Sequence, residues 1–329
     1  MRAKKDYFLI ALKGFTMGAA NVIPGVSGGT IALVTGIYQE LLNSLKSFDK
    51  KALKLLLSND YSSLLRHLNF KFLLALGTGI ALSIFTLAKV FAYLLEVHPT
   101  QIWAFFFGLI LASVYYVGKT VEKWNLSTSL FFVLGALIAF IIALINPTPS
   151  PNGNYLFVFF CGIIGISGML LPGLSGSYIL MLLGNYKLLM VDSINALSSA
   201  LKMSLSGDFS YLQNHTQVQG LIHFSLFLLG SLFGMITFSQ VIAWIFERYK
   251  NSTIAILTGF VFGSLAIIWP WKNELTDPNK LNRHGEELLI GYQRYIPNNL
   301  DSDTLSALIC ILAGIVSIWV VEKMAEKQN

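Results

Sequence analysis

Long apolar runs dominate this chain: 71–95, 100–118 and 128–145 in its first part, and 220–246, 253–270 and 304–321 in its second. Each is near the roughly 20 residues a helix needs to cross a bilayer core about 30 Å thick. None alternates polar and apolar positions as a barrel strand would, so six spanning helices are predicted. Two more apolar segments, 8–44 and 156–190, are interrupted in the middle by IPGVSGGT (23–30) and LPGLSGSY (171–178). Proline and glycine there stop a helix. Broken backbone at membrane depth is tolerated only inside protein or beside a polar cavity. Each segment is therefore read as a re-entrant hairpin: half-helix, PGxSG tip, half-helix. Two full crossings are the alternative reading.

The two interrupted segments are copies of one another. Gly14, Pro24, Gly25, Ser27, Gly28, Gly36 and Tyr38 match Gly162, Pro172, Gly173, Ser175, Gly176, Gly184 and Tyr186 at one offset. Downstream, Val90, Ala92, Glu96, Gly108 and Ser113 match Val241, Ala243, Glu247, Gly259 and Ser264 at a slightly larger one. The expected organisation is thus two repeats, 1–146 and 147–329. Each has one hairpin and three spans. The polar segment 271–303 has no counterpart in the first copy; it reads as an outer cap or an unstructured insertion. Residues 46–66 are basic and amphipathic, suited to lying on the inner membrane surface or to a solvated linker.

Charge sets the orientation. With a cytoplasmic N-terminus and hairpins that return to their own side, sixteen Lys and Arg fall inside, six outside and Lys89 within a span. That satisfies the positive-inside bias and puts both termini in the cytoplasm. Three crossings per copy invert the second copy relative to the first, a plan common in secondary transporters. The N-terminal stretch resembles a signal peptide, but Lys13 interrupts its apolar run and the stretch recurs later, so it is kept as structure.

Composition agrees. The chain is 54% hydrophobic and 12% charged, with a formal charge of +6. Soluble domains carry about 25% charged residues. The positive charge is laid along one membrane face, so no nucleic acid partner is expected. Cys161 and Cys310 form neither a disulfide framework nor a metal-ligand spacing. There is no nucleotide-binding loop, HExxH motif or intramembrane carboxylate pair, so no metal, cofactor or catalytic residue is expected. Any pumping would draw on an H+ or Na+ gradient.

The tips carry the chemistry. The helix after each tip begins with backbone N–H groups that have no intrahelical partner. Its dipole favours an anion there. The candidate substrate-binding set is Asn21, Pro24, Gly25, Ser27, Gly28, Gly29 and Thr30 with Pro172, Gly173, Ser175, Gly176 and Ser177. Lys89, a cation inside a span, is a candidate counter-charge or a residue that reaches back to the headgroups. Gln240 is its partner position in the second copy. His98 and His223 fall near span ends and read as interfacial.

At GAANVIPGVSGGTIALVTGIYQELL and GMLLPGLSGSYILMLLGNY the chain resembles the bacterial polyprenyl-phosphate (undecaprenyl-phosphate) transporter family, over essentially its whole length. The resemblance implies a lipid flippase that returns undecaprenyl phosphate from the outer to the inner leaflet of the bacterial plasma membrane for cell-envelope synthesis. Its partners would be the polyprenyl phosphate and membrane lipids; self-association is left open. Two alternatives remain. One is a small-anion secondary transporter using the same helix ends. The other is a relative of the polyprenyl-diphosphate phosphatases, which carry PGxSRS and glutamates; here Gly28 and Gly176 replace the arginine and MGAANVI holds no glutamate. Without these, phosphoryl transfer lacks its charge-stabilising groups.

Overall fold

The hydrophobic runs become helices whose ends are set by local capping. The computed structural model describes residues 4–22, 27–145, 151–281 and 287–326. In chain order these form α1 (Lys4–Val22), α2 (Gly28–Val34), α3 (Tyr38–Lys46), α4 (Lys50–Leu57), α5 (Tyr61–His67), α6 (Phe70–Val97), α7 (Pro99–Lys119) and α8 (Leu126–Leu144). The second half holds α9 (Tyr155–Leu170), α10 (Gly176–Leu182), a π-helical turn (Lys187–Asp192), α11 (Ser193–Leu205), α12 (His215–Arg248) and α13 (Lys250–Ser264). The strands β1 (Lys272–Leu281) and β2 (Glu287–Arg294) and the helix α14 (Ser302–Glu326) follow. Asn125 and Thr128 form a capping box at the start of α8, and Asn154 and Asn214 cap α9 and α12.

Segments of α6 and α14, and the whole of α7, α8 and α12, are long and apolar enough to cross a membrane. Their outward faces are apolar, with Leu134, Leu137 and Ile141 of α8, Leu229 and Phe233 of α12 and Ile309 and Leu312 of α14 all exposed. Such continuous apolar surface requires lipid as its solvent. The chain is an all-α multi-pass membrane protein. The predicted span 253–270 is shorter than expected as a helix. α13 stops at Ser264 and the backbone tightens into three-residue turns through Ile267. Pro270 restricts Trp269 to extended backbone, which forbids continuing the helix.

Glycines zip the long helices together in parallel pairs. Gly14 and Gly18 of α1 lie against Leu76 and Ile80 of α6. In α9 and α12, the Gly153 carbonyl meets His223 at 3.1 Å, the Gly162 carbonyl meets Ser231 Oγ at 3.4 Å, and Ile163 lies against Gly234. Gln101 of α7 donates to Ser306 of α14 at 3.0 Å, and Gly108 abuts the Ile311 carbonyl. In α8 and α13, Gly135 abuts the Ile256 carbonyl and Gly263 that of Ala136. Any side chain at Gly14, Gly18, Gly162, Gly234, Gly108, Gly135 or Gly263 would strike backbone. α7 and α13, which hold matched sequence, run antiparallel: Lys250 pairs with Glu122 at 3.3 Å, while Phe107 meets Trp269 edge to face at 5.5 Å between ring centroids.

Within each interrupted segment the chain doubles back. Asn21 bonds Gly28, and Lys13, a half-buried cation in an apolar helix, donates to the Thr35 carbonyl at 2.7 Å. α2 thus runs antiparallel to α1, with Lys13 neutralising its C-terminal end. Gly36 and Gly184, at φ +72 and +75, terminate α2 and α10 alike, each followed by the matched tyrosine.

Of the two readings of 271–303, a cap or an unstructured insertion, the insertion is overturned, because the segment is ordered over its described residues. It holds an antiparallel hairpin, the one sheet among the described residues. Arg294 donates to the carbonyls of Ala266 and Ala143 at 2.6 and 2.7 Å, and Lys272 donates to that of Ile267 at 2.8 Å. Two cations thus cap the ends of α8 and α13. α4 and α5 expose Leu53, Leu57 and Leu65 beside lysines and an arginine, the surface expected of an interfacial segment.

Candidate functional site

The two tips meet. Thr30 Oγ1 accepts from the Gly173 N–H at 2.8 Å, Ser27 Oγ faces the Met169 and Leu171 carbonyls at 3.4 Å, and the Tyr38 hydroxyl donates to the Leu170 carbonyl at 3.0 Å. The second tip is a type II turn. Pro172 follows Leu171, Gly173 takes φ +82, and Leu174 N–H reaches the Leu171 carbonyl at 3.3 Å. Gly173 packs so closely on the Phe260 backbone of α13 that no side chain fits.

Beside the joined tips lies a cavity of about 320 Å³, room for roughly ten waters at about 30 Å³ each. Asn21 and Ser27 from the first hairpin line it with Met169, Ser175, Gly176 and Ser177 from the second. Tyr186 and Met190 continue the wall beyond α10, and Phe227 and Ser231 of α12 close it. Among the described residues no charged side chain lines it.

The tips differ in what they offer a ligand. At the first, the expectation of open amides fails. Gly28 N–H donates to Asn21 Oδ1 at 2.8 Å, Gly29 N–H to Ser27 Oγ at 3.2 Å and Thr30 N–H to the Ser27 carbonyl at 3.0 Å. At the second, Met169 stands where Asn21 would, and Ser175 caps nothing with its side chain. Its hydroxyl lies 2.8 Å from that of Ser177. The Gly176 and Ser177 amides find no acceptor among the described residues.

Of the sequence-derived set, the structure gathers Asn21, Ser27, Ser175, Gly176 and Ser177 at the cavity. Gly28, Gly29, Thr30, Pro172 and Gly173 are buried behind it, joining the tips. Gln240 is exposed on α12 and is not among the lining residues. Lys89 belongs to α6, its side chain outside the described set, as are Pro24 and Gly25. Sequence reasoning missed Tyr186, Met190, Phe227 and Ser231; the tyrosine was signalled by its match to Tyr38, the others by nothing local.

Spanning helices packed around broken helices that meet at a polar cavity define a membrane transport protein in architecture. Residues 17–288 match the family described as undecaprenyl phosphate translocase-like. The chain is 37% identical over 328 residues to the polyprenyl-phosphate transporter of Vibrio cholerae, covering 98% of both chains. It is 31% identical over 271 residues to the polyprenyl-phosphate transporter of Staphylococcus aureus, covering 79% of this chain and 85% of that one. No solved structure matches significantly. The chain belongs to the undecaprenyl phosphate translocase-like family. Its named relatives are transporters.

Proposed function

We propose that this protein carries a polyprenyl phosphate, undecaprenyl phosphate first among them, from the outer to the inner leaflet of the bacterial plasma membrane. The relatives' names supply the substrate class. The observation that carries the site is the cavity at the joined tips, where hydroxyls and a side-chain amide from both hairpins converge. Hydroxyl and side-chain amide donors suit a phosphate headgroup, with Lys89 of α6 as the candidate counter-charge. The isoprenoid tail stays in lipid while the head passes.

The same proposal takes the halves as inverted repeats with cytoplasmic termini. Supporting this are the matched sequences, the antiparallel run of α7 against α13, and glycine contacts that recur between the halves. Gly14 meets the Leu76 carbonyl as Gly162 meets that of Phe227, and Gly108 meets that of Ile311 as Gly259 meets that of Phe132. The parallel pairs α1/α6 and α9/α12 support hairpins that return to the side they entered from.

The test is movement of labelled undecaprenyl phosphate between leaflets of sealed vesicles, with released inorganic phosphate followed in parallel. Transfer without release is expected. The Ser175→Ala/Ser177→Ala double variant should slow it by roughly tenfold or more, since hydrogen bonds to a charged group contribute about 1.5–3 kcal/mol. Inhibition by free inorganic phosphate with no lipid movement would transfer the assignment to a soluble anion. Undiminished transfer by the double variant would remove these serines from the site.

A further inference from the structure

The halves are alike in sequence but unlike in what their tyrosines touch. Tyr38 is 2% exposed, its ring centroid 6.3 Å from that of Phe246 on α12 and its hydroxyl on the Leu170 carbonyl. Leu42, one turn on, is fully buried, and Lys46 completes the row by pairing with Glu247 at 3.1 Å. In the second half the matched positions are Tyr186 and Met190. Both line the cavity, and Met190 is 36% exposed. Phe227 lines it too, whereas its counterpart Leu76 is buried. Leu95, the counterpart of Phe246, is only half-buried and Glu96, that of Glu247, is exposed.

We infer that Tyr38 and Tyr186 are two alternating gates on opposite sides of the tips, and that this conformation has the Tyr38 gate shut and the Tyr186 side open. In the opposite conformation the contacts exchange. Tyr38 leaves Phe246 and the Leu170 carbonyl, and Tyr186 closes on Leu95 and the Val22 carbonyl, the positions that match. The cavity then opens past Leu42 and Leu76 instead of Met190 and Phe227. Leu170 and Val22 end the first helix of their hairpins, so each carbonyl lacks an intrahelical partner. One tyrosine hydroxyl satisfies one such carbonyl at a time. The tyrosine–carbonyl bond is then matched in the two states, while the Tyr38–Phe246 and Lys46–Glu247 contacts, whose counterparts are Leu95 and Ile194 beside Glu96, tilt the balance toward the conformation with the Tyr38 gate shut. This rests on the proposed inversion of the halves and on the proposed cargo.

The experiment uses full-length protein with Cys161→Ala and Cys310→Ala, in sealed vesicles of known orientation. A membrane-impermeant thiol reagent reads two single-cysteine probes, Met190→Cys for the open side and Leu76→Cys for the shut one. Tyr38→Phe should raise Leu76→Cys labelling and lower Met190→Cys labelling, each roughly three- to tenfold, the shift one hydrogen bond supports. Tyr186→Phe should move both the other way. A merely loosened fold raises labelling at both probes; that result, or no change at either, overturns the gates. Lipid transfer is measured in the same preparations. Probes that trade places without lipid transfer leave the gates standing and remove the cargo. Lipid transfer with probes that do not trade does the reverse.

Discussion

Two serines at matched positions carry different work. Ser27 Oγ accepts the Gly29 N–H as an N-cap, while Ser175 Oγ turns to Ser177 and caps nothing. Ser27→Ala should therefore lower thermal stability in detergent by about 1 kcal/mol, the usual worth of a cap. Ser175→Ala should leave the melting temperature alone and slow lipid transfer; thermal shift and vesicle assays on both variants read the difference. The reason was legible in the sequence but easily passed over. The PGxSG core is the same twice, yet the residue that fills the first helix's leading amide is Asn21, and its counterpart is Met169, which cannot accept. The motif led to the expectation of two equal anion sites; one flanking residue leaves the two tips with different free groups.

Among the elements, close glycine contacts decide the helix pairs. Gly108→Val on α7 should cost about 2–3 kcal/mol by pushing α14 away, because the obstacle is the Ile311 backbone carbonyl rather than a side chain that can turn. Reduced melting temperature with intact membrane insertion is the expected result. At the interfacial segment, Asp49 accepts the Ala52 N–H at 2.9 Å and lies 3.0 Å from His67. Against slight desolvation, which alone would raise it, these partners hold its carboxyl below the usual range. Its support for α4 is therefore complete above the ordinary carboxylate pKa of about 4 and disappears as pH falls through the lowered value. Protection of the α4 amides, measured relative to the unfolded-chain rate at each pH, should be unchanged between pH 7 and pH 5, fall at strongly acidic pH, and be low throughout in Asp49→Ala. Five of the six predicted spans were readable because length and apolarity suffice; the sixth, cut short as α13 ahead of Pro270, was not. The β hairpin was not: its anchors, Arg294 and Lys272, find their carbonyls only once α8 and α13 lie side by side.

For the whole molecule, the distribution of basic residues predicts that each hairpin returns to its own side, an arrangement we propose and with which the four parallel helix pairs agree. Tags at the two termini should be digested by protease from one face of the membrane, and a cleavage site inserted beside β1 from the other. Termini on opposite faces would end the inverted arrangement. The cavity itself could not be read from sequence. Its far wall, Phe227 and Ser231, comes from a helix about forty residues beyond Tyr186, and its near wall from both tips. Only the packing of α9 on α12 brings them together.

The cross-pairing of α7 with α14 and α8 with α13 also constrains how the protein is made. During synthesis α1 and α6 find one another as soon as the first half emerges, and α9 and α12 do so in the second. The glycine faces at Gly108 and Gly135 have no partner until α13 and α14 enter the bilayer. Until then a ribosome-bound half-molecule presents two grooved helices to the insertion machinery and to any neighbouring nascent chain. Assembly is thus committed only at the last helix, and a chain halted short of it is left with open seams that chaperones and proteases can recognise.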